Sequence, residues 1–458
     1  MANRSGRPRF FWRTRELLLL LLVYLIAAAG FVSVAVAAQY RAGADPTPAI
    51  VPALLPLVGI IVPFTALHVA LSVRRVAFEQ MILPITALIF VIGAIEIYRL
   101  RGTDGISQQI LRGLVPGTLV SLALLLWAPA VERVRRYAVP IGLAGLLLLF
   151  LTSVVGVRDE TGARLSLKLG PLPAVQTSEL IKVALIIFMA WYIEREGRAA
   201  EGRATTFLFF RLPSPRYIIP AALFVGAATL ALVAMSDFGA VLILGALFIA
   251  MLFSGFETRI FATIATIGLV LGAVVGLVLS QVWTIPATIQ NRYLAFRDPW
   301  SGQLMPNGYT IAEGPGYQIQ QSIYAVIAGG VTGAGLGLGS PTFVPLAHSD
   351  FILAAIIEEM GSAVGVALLA LYAVLILRLF RVVLLMPRAQ VFERLLLVGI
   401  GVHLFAQVFI MSAGTLDLIP LTGVTLPFLS LGGVALMVNL IEVSLALAIM
   451  QRVEGALA

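Results

Sequence analysis

The sequence predicts an all-α fold, a polytopic membrane helical bundle with about twelve spans. Two observations predict it, the composition and the recurrence of long apolar stretches. Of the 458 residues, 60% are hydrophobic and only 12% are charged, whereas soluble domains carry about 25% charged residues. Long apolar stretches recur along the whole chain. The chain has no cysteine, which excludes disulfides, thiolate metal sites and cysteine nucleophiles.

The spans follow from the rule that about 20 mostly apolar residues cross a bilayer. The stretch Ser322–Gly339 is also apolar, but its glycines favour a partly re-entrant piece over a full span. The predicted spans are, in chain order, 17–38, 49–73, 79–98, 111–131, 138–157, 178–194, 218–234, 239–254, 260–282, 350–377, 392–413 and 432–450.

The positions of lysine and arginine orient the bundle. Most of the 31 basic residues fall on the side of the N-terminus, and cytoplasmic loops are the basic ones in membrane proteins. We therefore expect both termini in the cytoplasm and the large polar loop 283–349 on the extracellular face. The net charge of +8 is explained by these loops and does not indicate a nucleic-acid partner.

Charged residues within spans are the first candidates for function, because each costs at least ~2.5–3.5 kcal/mol to insert. In QTSELIK, Glu179 and Lys182 share a helix face with Gln176. The pair either carries function or merely lets the helix insert. Asp350 and Glu358 lie about 80° apart on the long span that follows the polar loop, which suggests a polar cavity.

Three further features have simpler interpretations. Asp237, in MSDFG between two short apolar segments, favours a helix cap for Phe238 onward. Glu96 is expected to be interfacial. The glycine run at 333–339 lacks the strand and helix of a nucleotide loop and favours close backbone packing or a re-entrant turn. No His/Asp/Glu set has zinc spacing, so no metal site is predicted.

Seven strings stand in order along the chain. They are GPLPAVQTSELIK (170–182), SDFGAVLIL (236–244), RYLAFRDPW (292–300), GYQIQQS (316–322), GAGLGLG (333–339), PLAHSDFILAAIIEEMG (345–361) and GVTLPFLSLGG (423–433). Together they resemble the SEDS family (shape, elongation, division and sporulation; RodA, FtsW and SpoVE-like proteins), and the resemblance covers about Leu165 to the C-terminus. It implies the family's ten spans, here with an extra N-terminal pair. The corresponding division is N-terminal helices, including that pair, at 1–160 and a SEDS-like core with its extracellular catalytic loop at 161–458.

The resemblance implies a peptidoglycan glycosyltransferase that polymerises lipid II at the outer face of the bacterial cytoplasmic membrane, for elongation or division. It implies a class B penicillin-binding protein, a transpeptidase, as partner. A general base must take the proton of the acceptor hydroxyl, and cations, with Mg or Mn as a candidate divalent ion, must stabilise the departing diphosphate. The residues expected to bind substrate are Glu179, Lys182, Arg292, Gln321, Ser322, His348, Asp350, Glu358 and Ser430.

The chain departs from the family at the essential carboxylate. That carboxylate belongs to an Asp-Pro-x-Gly-x-Gly-Tyr string before Gly-Tyr-Gln, whereas here TIAEGP precedes GYQ and Gly302 stands at the catalytic position. Asp298 is the preferred replacement, with the insertion following it, and Glu313 is the second candidate. The alternative for Asp298 is a turn residue before Pro299.

Two other functions stay open. One is a flippase for a lipid-linked precursor, because buried charges such as Glu179 and Lys182 also mark transport routes. The chain lacks paired discontinuous helices in two similar halves, which argues against it. The other is a non-catalytic SEDS scaffold that regulates a transpeptidase, which the missing Asp-Pro-x-Gly string favours.

Overall fold

The structure is a computed structural model of the chain. Most of the predicted span 260–282, like part of the loop that follows it, lies outside the described residues. The structure describes residues 13–76, 79–127, 129–157, 166–168, 174–207, 210–212, 214–256, 268, 287–305 and 308–457.

The described chain is helical almost throughout, which confirms the predicted all-α membrane bundle. Every predicted span that falls on described residues coincides with a helix. Two small antiparallel hairpins are the strands of the described part, β1 (Ser166–Leu167) with β2 (Val175–Gln176) and β3 (Thr205–Phe207) with β4 (Phe210–Leu212). The helices are α1 (Thr14–Arg41), α2 (Thr47–Ala53), α3 (Leu55–Val73), α4 (Ile82–Gln109), α5 (Val115–Leu126), α6 (Ala130–Arg136), α7 (Ala138–Val155), α8 (Thr177–Gly202), α9 (Ile219–Ala234), α10 (Phe238–Gly255), α11 (Ala287–Arg297), α12 (Pro315–Gly329), α13 (Ile352–Leu385), α14 (Val391–Thr415) and α15 (Gly433–Leu457).

Eight helical stretches among the described residues are long and apolar enough to cross a membrane. One of them, Ile82–Leu126, has 45 residues. At 1.5 Å per residue it is about 68 Å long, twice the hydrocarbon thickness of a bilayer. Gly102 breaks it with φ 62° and ψ −155°, so this stretch accounts for the two predicted spans 79–98 and 111–131.

The chain forms two compact units. In the first, α1 packs on α4, and α5 packs on both α3 and α15. In the second, α8 packs on α7, α10 and α14. The first unit comprises Met1–Arg133, Tyr324–Arg378 and Thr425–Ala458; the second comprises Val134–Ile323 and Leu379–Val424.

Within the first unit, the glycine run packs into a break in α13. The break is at Gly361, whose φ of 86° and ψ of 161° are accessible essentially to glycine alone. The backbone of residues 330–335, which leads into the run, replaces two helical hydrogen bonds there, which confirms the predicted close packing. The four bonds are Ala334 N–H to Glu358 O (2.9 Å), Gly335 N–H to Glu359 O (2.9 Å), Ser362 N–H to Gly330 O (2.9 Å) and Ala363 N–H to Val331 O (3.3 Å).

Candidate functional site

Helix α8 carries an ion pair at its N-terminal end. The β1–β2 hairpin ends at Gln176, and the helix begins at Thr177. The Nζ atom of Lys182 lies 2.7 Å from Oε1 of Glu179, and these side chains are only 1% and 6% exposed. The sequence predicted this pair. It also placed Gln176 on the same helix face, which is wrong because Gln176 lies in strand β2.

Asp237 adds a second carboxyl group to this ion pair. It precedes α10 and accepts a hydrogen bond from the Ala240 N–H at 3.0 Å, which confirms the predicted helix cap. Burial raises the pKa of Asp237, while the Ala240 N–H, the Lys182 ammonium and the Ser178 hydroxyl act in the opposite direction. The ammonium of Lys182 therefore pairs with Glu179 and acts on Asp237 through its charge.

A backbone carbonyl connects this cluster with helix α11. Arg292, on α11, donates from Nη1 to the carbonyl oxygen of Thr422 at 3.3 Å. The same oxygen lies against Gly239, where an added Cβ atom would come within 3.1 Å of it. Gly239 is the second residue of α10 and follows Asp237 by two positions. The Arg292 guanidinium and Gly239, at the start of α10, therefore both contact the Thr422 carbonyl oxygen, which belongs to the segment 416–424.

Asp298 and Glu313, the two candidate bases, lie in exposed turns. Oδ1 of Asp298 accepts a hydrogen bond from the Trp300 N–H at 3.2 Å, as expected of a turn residue. Oε2 of Glu313 accepts hydrogen bonds from the backbone N–H and the hydroxyl of Thr310, at 3.1 and 2.9 Å. These two bonds lower the pKa of Glu313. The catalytic role of either residue stays a prediction.

Helix α12 fixes the position of this loop. Its Gln320 Nε2 donates to the Pro299 carbonyl at 2.6 Å, next to Asp298. Ser322 follows Gln320 by two positions and so points to nearly the opposite side of the helix. Its hydroxyl is fully buried and donates to the carbonyl of Thr415 at 3.0 Å. The Ser322 hydroxyl is therefore already used in packing, while Gln321 is only half-buried.

Four other predicted residues lie in the first unit. Of these, Ser430 is buried, donates from Oγ to the Ser349 carbonyl at 2.8 Å and accepts from the Leu426 N–H at 3.0 Å. His348 is half-buried, and burial, followed by the charge of Arg101, lowers the pKa of its imidazole. The imidazole is therefore neutral at pH 7.

Asp350 and Glu358 do not share a helix as predicted. Helix α13 begins at Ile352, so Asp350 precedes it and the 80° relation does not hold. Glu358 is 8% exposed, and its Oε1 accepts a hydrogen bond from the Ser340 N–H at 2.7 Å. Glu358, which was predicted to bind substrate, thus accepts a backbone hydrogen bond from Ser340, in the loop that follows the glycine run.

Glu359 holds the same loop with an arginine. Its Oε1 lies 3.1 Å from Nε of Arg99, and its Oε2 accepts the Gly337 N–H at 2.7 Å. Arg99 Nη2 also donates to the Gly339 carbonyl at 3.2 Å. Glu96, one helical turn before Arg99, was predicted to be interfacial. That prediction is wrong, because Glu96 is fully buried and neither carboxyl oxygen has a hydrogen-bond partner among the described residues.

Asp237 and Glu359 were absent from the predicted site residues. The signal for Asp237 was present in the polar break MSDFG, but spacing alone could not show that Lys182 lies nearby. Glu359 lies two residues before the break at Gly361, and nothing in the sequence shows that this helix is broken there. In the part of the chain that the structure describes, no group of three or more His, Asp or Glu side chains is arranged to hold a metal ion.

Solved structures and curated relatives agree on the family. A chain of a solved assembly, described as "Structural coordination of polymerization and crosslinking by a peptidoglycan synthase complex", matches with a TM-score of 0.64 and 25% identity, covering 82% of this chain and 98% of that one. The Thermus thermophilus rod shape determining protein RodA matches with a TM-score of 0.55, 25% identity and the same coverage.

Curated relatives match at higher identity. The peptidoglycan glycosyltransferase RodA of Mycobacterium tuberculosis is 31% identical over 397 residues, which are 84% of this chain and 80% of the relative. The probable peptidoglycan glycosyltransferase FtsW of Geobacter sulfurreducens is 34% identical over 325 residues, 70% of this chain and 79% of the relative. The family described as "Cell cycle protein", FtsW/RodA/SpoVE, matches residues 74–454. The match begins after helices α1 to α3, and the chain belongs to the FtsW/RodA/SpoVE family, the SEDS proteins.

Proposed function

We propose that this protein is a peptidoglycan glycosyltransferase that polymerises lipid II at the outer face of the bacterial cytoplasmic membrane. The names of the mycobacterial and Geobacter relatives support the activity. The observation that carries it in this chain is the buried Lys182 with Glu179 and Asp237, which the segment 416–424 connects with Arg292. Buried charges inside a membrane bundle are costly and mark functional sites.

The reaction needs two kinds of group. The 4-hydroxyl of the acceptor sugar attacks C1 of the donor sugar, and the bond from C1 to the diphosphate breaks. A carboxylate takes the hydroxyl proton, and cations stabilise the charge on the departing diphosphate. Arg292 and Lys182 are the cations assigned to the diphosphate. Arg292 has a planar guanidinium suited to phosphate oxygens.

Asp298 remains the first candidate for the base and Glu313 the second. Asp298 follows directly on α11, six residues after Arg292, which corresponds to about 9 Å along the helix axis. The hydrogen bonds from Thr310 lower the pKa of Glu313, and a carboxylate with a lowered pKa is a weaker proton acceptor. This lowering counts against Glu313 as the base.

A divalent cation, Mg or Mn, is part of the proposal. Mg²⁺ in phosphoryl sites is commonly held by one or two carboxylates together with the phosphates of the substrate. A substrate-carried ion of this kind does not require the preformed three-residue cluster that the described residues lack. Removal of divalent ions with a chelator is the direct test, with loss of polymer as the expected result.

The proposal includes topology and partner. We place both termini in the cytoplasm and the loop 283–349 outside, following the distribution of basic residues. The partner is a transpeptidase of the class B penicillin-binding proteins. Its support is the similarity to a chain of a complex described as coordinating polymerization and crosslinking.

The test is polymerisation of purified lipid II by the full-length protein, followed by gel separation of the glycan strands. Asp298→Asn, Glu313→Gln and the double variant are compared with Asp45→Asn, which alters an exposed turn carboxylate that caps Thr47. We expect Asp298→Asn to lower the rate by 10²–10⁴-fold. Normal strands from the double variant would refute the assignment of both residues.

Two further assays distinguish this function from the flippase and the scaffold. Liposomes that translocate labelled lipid-linked precursor without forming polymer would establish a flippase. Cells that grow normally with both carboxylates replaced, but not with the protein deleted, would establish a scaffold. The exposed positions of Asp298 and Glu313 give the scaffold its structural support.

A further inference from the structure

Asp417 occupies a backbone conformation that suits glycine. It follows the C-terminus of α14 with φ 54°. The Leu418 N–H donates to the Ala413 carbonyl at 2.8 Å, and the Asp417 N–H donates to the Gly414 carbonyl at 3.2 Å. This is the Schellman arrangement, in which glycine is the usual left-handed residue. An aspartate at this position costs conformational free energy.

The charge of Asp417 is a second local cost. The last carbonyls of a helix carry partial negative charge, so a carboxylate at the C-terminal end is repelled. The Oδ1 atom of Asp417 is buried and has no hydrogen-bond partner in the part of the chain described. Burial raises the pKa of Asp417. Among the described residues, nothing donates to this buried Oδ1 atom to offset these costs, and local strain of this kind clusters at functional sites.

Asp417 belongs to the segment that meets the candidate site. It lies five residues before Thr422, whose carbonyl accepts from Arg292 at 3.3 Å. It lies two residues after Thr415, whose carbonyl accepts from Ser322 at 3.0 Å. Two residues predicted to bind substrate, Ser322 and Arg292, therefore contact the backbone before and after Asp417.

Asp298 and Asp417 lie on different sides of α12. The Gln320 face of α12 holds the Pro299 turn, next to Asp298, and the Ser322 face contacts the end of α14. The backbone next to Asp298 and the backbone next to Asp417 therefore contact nearly opposite faces of α12. Of the two, Asp417 is on the segment that contacts Arg292, whereas Asp298 is exposed and accepts the Trp300 N–H.

We propose that Asp417 is a catalytic carboxylate of this protein, which accepts the proton of the acceptor 4-hydroxyl. The hydroxyl oxygen forms the new bond to C1 of the donor, its proton passes to Asp417, and the diphosphate leaves with the electron pair of the broken C1–O bond. The inference rests on the proposed glycosyltransferase function. One carboxylate takes the single proton, so on this inference the loss of rate that the proposed function expects of Asp298→Asn falls on Asp417→Asn instead.

The experiment measures two quantities on each full-length variant, the initial rate of polymer formation from lipid II and the unfolding temperature in the same detergent. The variants are Asp417→Asn, Asp417→Gly, Asp417→Glu and Asp298→Asn, with Asp45→Asn as the control. We expect Asp417→Asn and Asp417→Gly to lower the rate at least 100-fold. We expect their unfolding temperatures to equal or exceed that of the wild type, with glycine the more stable because it fits the left-handed position. Asp417→Glu should restore part of the rate.

Four outcomes would overturn the inference. A rate within threefold of the wild type in Asp417→Asn shows that the carboxylate is not needed. A lower unfolding temperature in both Asp417→Asn and Asp417→Gly shows a structural role. A wild type that makes no polymer while a known polymerase works in the same mixture refutes the proposed function, and the role of Asp417 with it. An active wild type with inactive Asp298→Asn and active Asp417→Asn refutes the role of Asp417 alone.

Discussion

Replacing Lys182 tests whether its ion pair has a function or only permits insertion of α8. The side chain is 1% exposed and lies 2.7 Å from Glu179, and it also lowers the pKa of Asp237. Lys182→Met removes the ammonium that, within the described part of the chain, pairs with Glu179 and also acts on Asp237. Breaking a buried ion pair from one side costs about 3–5 kcal/mol. Glu179→Leu should cost less, because Asp237 still balances the ammonium of Lys182.

The double variant Glu179→Leu with Lys182→Met separates the two interpretations. Replacing a buried ion pair by apolar residues of similar volume is often neutral, or stabilising by about 1–4 kcal/mol. We therefore expect the double variant to unfold at or above the temperature of the wild type, and Lys182→Met to unfold several degrees lower. If the pair serves the reaction, polymer formation from lipid II stays lost in the double variant although stability returns.

The unfolding temperature and the polymerisation rate are measured on the same detergent-purified samples. Recovery of both quantities in the double variant would assign the pair to helix insertion alone. A Lys182→Met variant as stable as the wild type would refute the argument from uncompensated buried charge.

Two further predictions concern the glycine run and the α13 break. Glu359→Gln should lower the free energy of unfolding by about 3–5 kcal/mol because it breaks a buried ion pair. Glu358→Gln should lower it by only about 1 kcal/mol, because the amide oxygen still accepts the single backbone hydrogen bond. Equal falls in unfolding temperature for the two variants would contradict this. Gly361→Ala should cost about 1–3 kcal/mol in backbone strain and a further 1–3 kcal/mol, roughly, in overpacking, since its Cβ atom would lie 2.2 Å from the Val331 carbonyl oxygen. Gly226→Ala, in a helix with open space around it, is the matched control and should not destabilise the protein.

The spans could be predicted from the sequence because hydrocarbon length alone sets them. Each described span was expected at the position of a helix, although α8 and α13 continue eight residues beyond the predicted ends at 194 and 377. The two predicted spans 79–98 and 111–131 form the continuous stretch Ile82–Leu126. The Glu179–Lys182 pair was also predictable, because a spacing of three residues on a helix guarantees proximity. These features depend on local composition and on helix geometry, and both are present in the sequence.

The rest of the site depends on contacts between distant segments. Glu96 was expected at the interface from its place in an apolar run, but packing of the first unit buries it fully. Asp350 was assigned to a helix that begins two residues later, at Ile352. Asp417 drew no attention, because a left-handed φ cannot be recognised from an aspartate in a Leu-rich segment. Gly361 looked like an ordinary helical glycine until its partners at 330–335 were known.

The break at Gly361 has a consequence for mechanical coupling in the first unit. Gly361 divides α13 into two helical segments, and the backbone of residues 330–335 is hydrogen-bonded to both of them through four bonds. Lipid offers no replacement for these bonds, so moving residues 330–335 away would leave eight backbone polar groups without partners. A displacement of the loop after the glycine run is therefore transmitted to both segments of α13, and the Glu359–Arg99 ion pair provides a second connection.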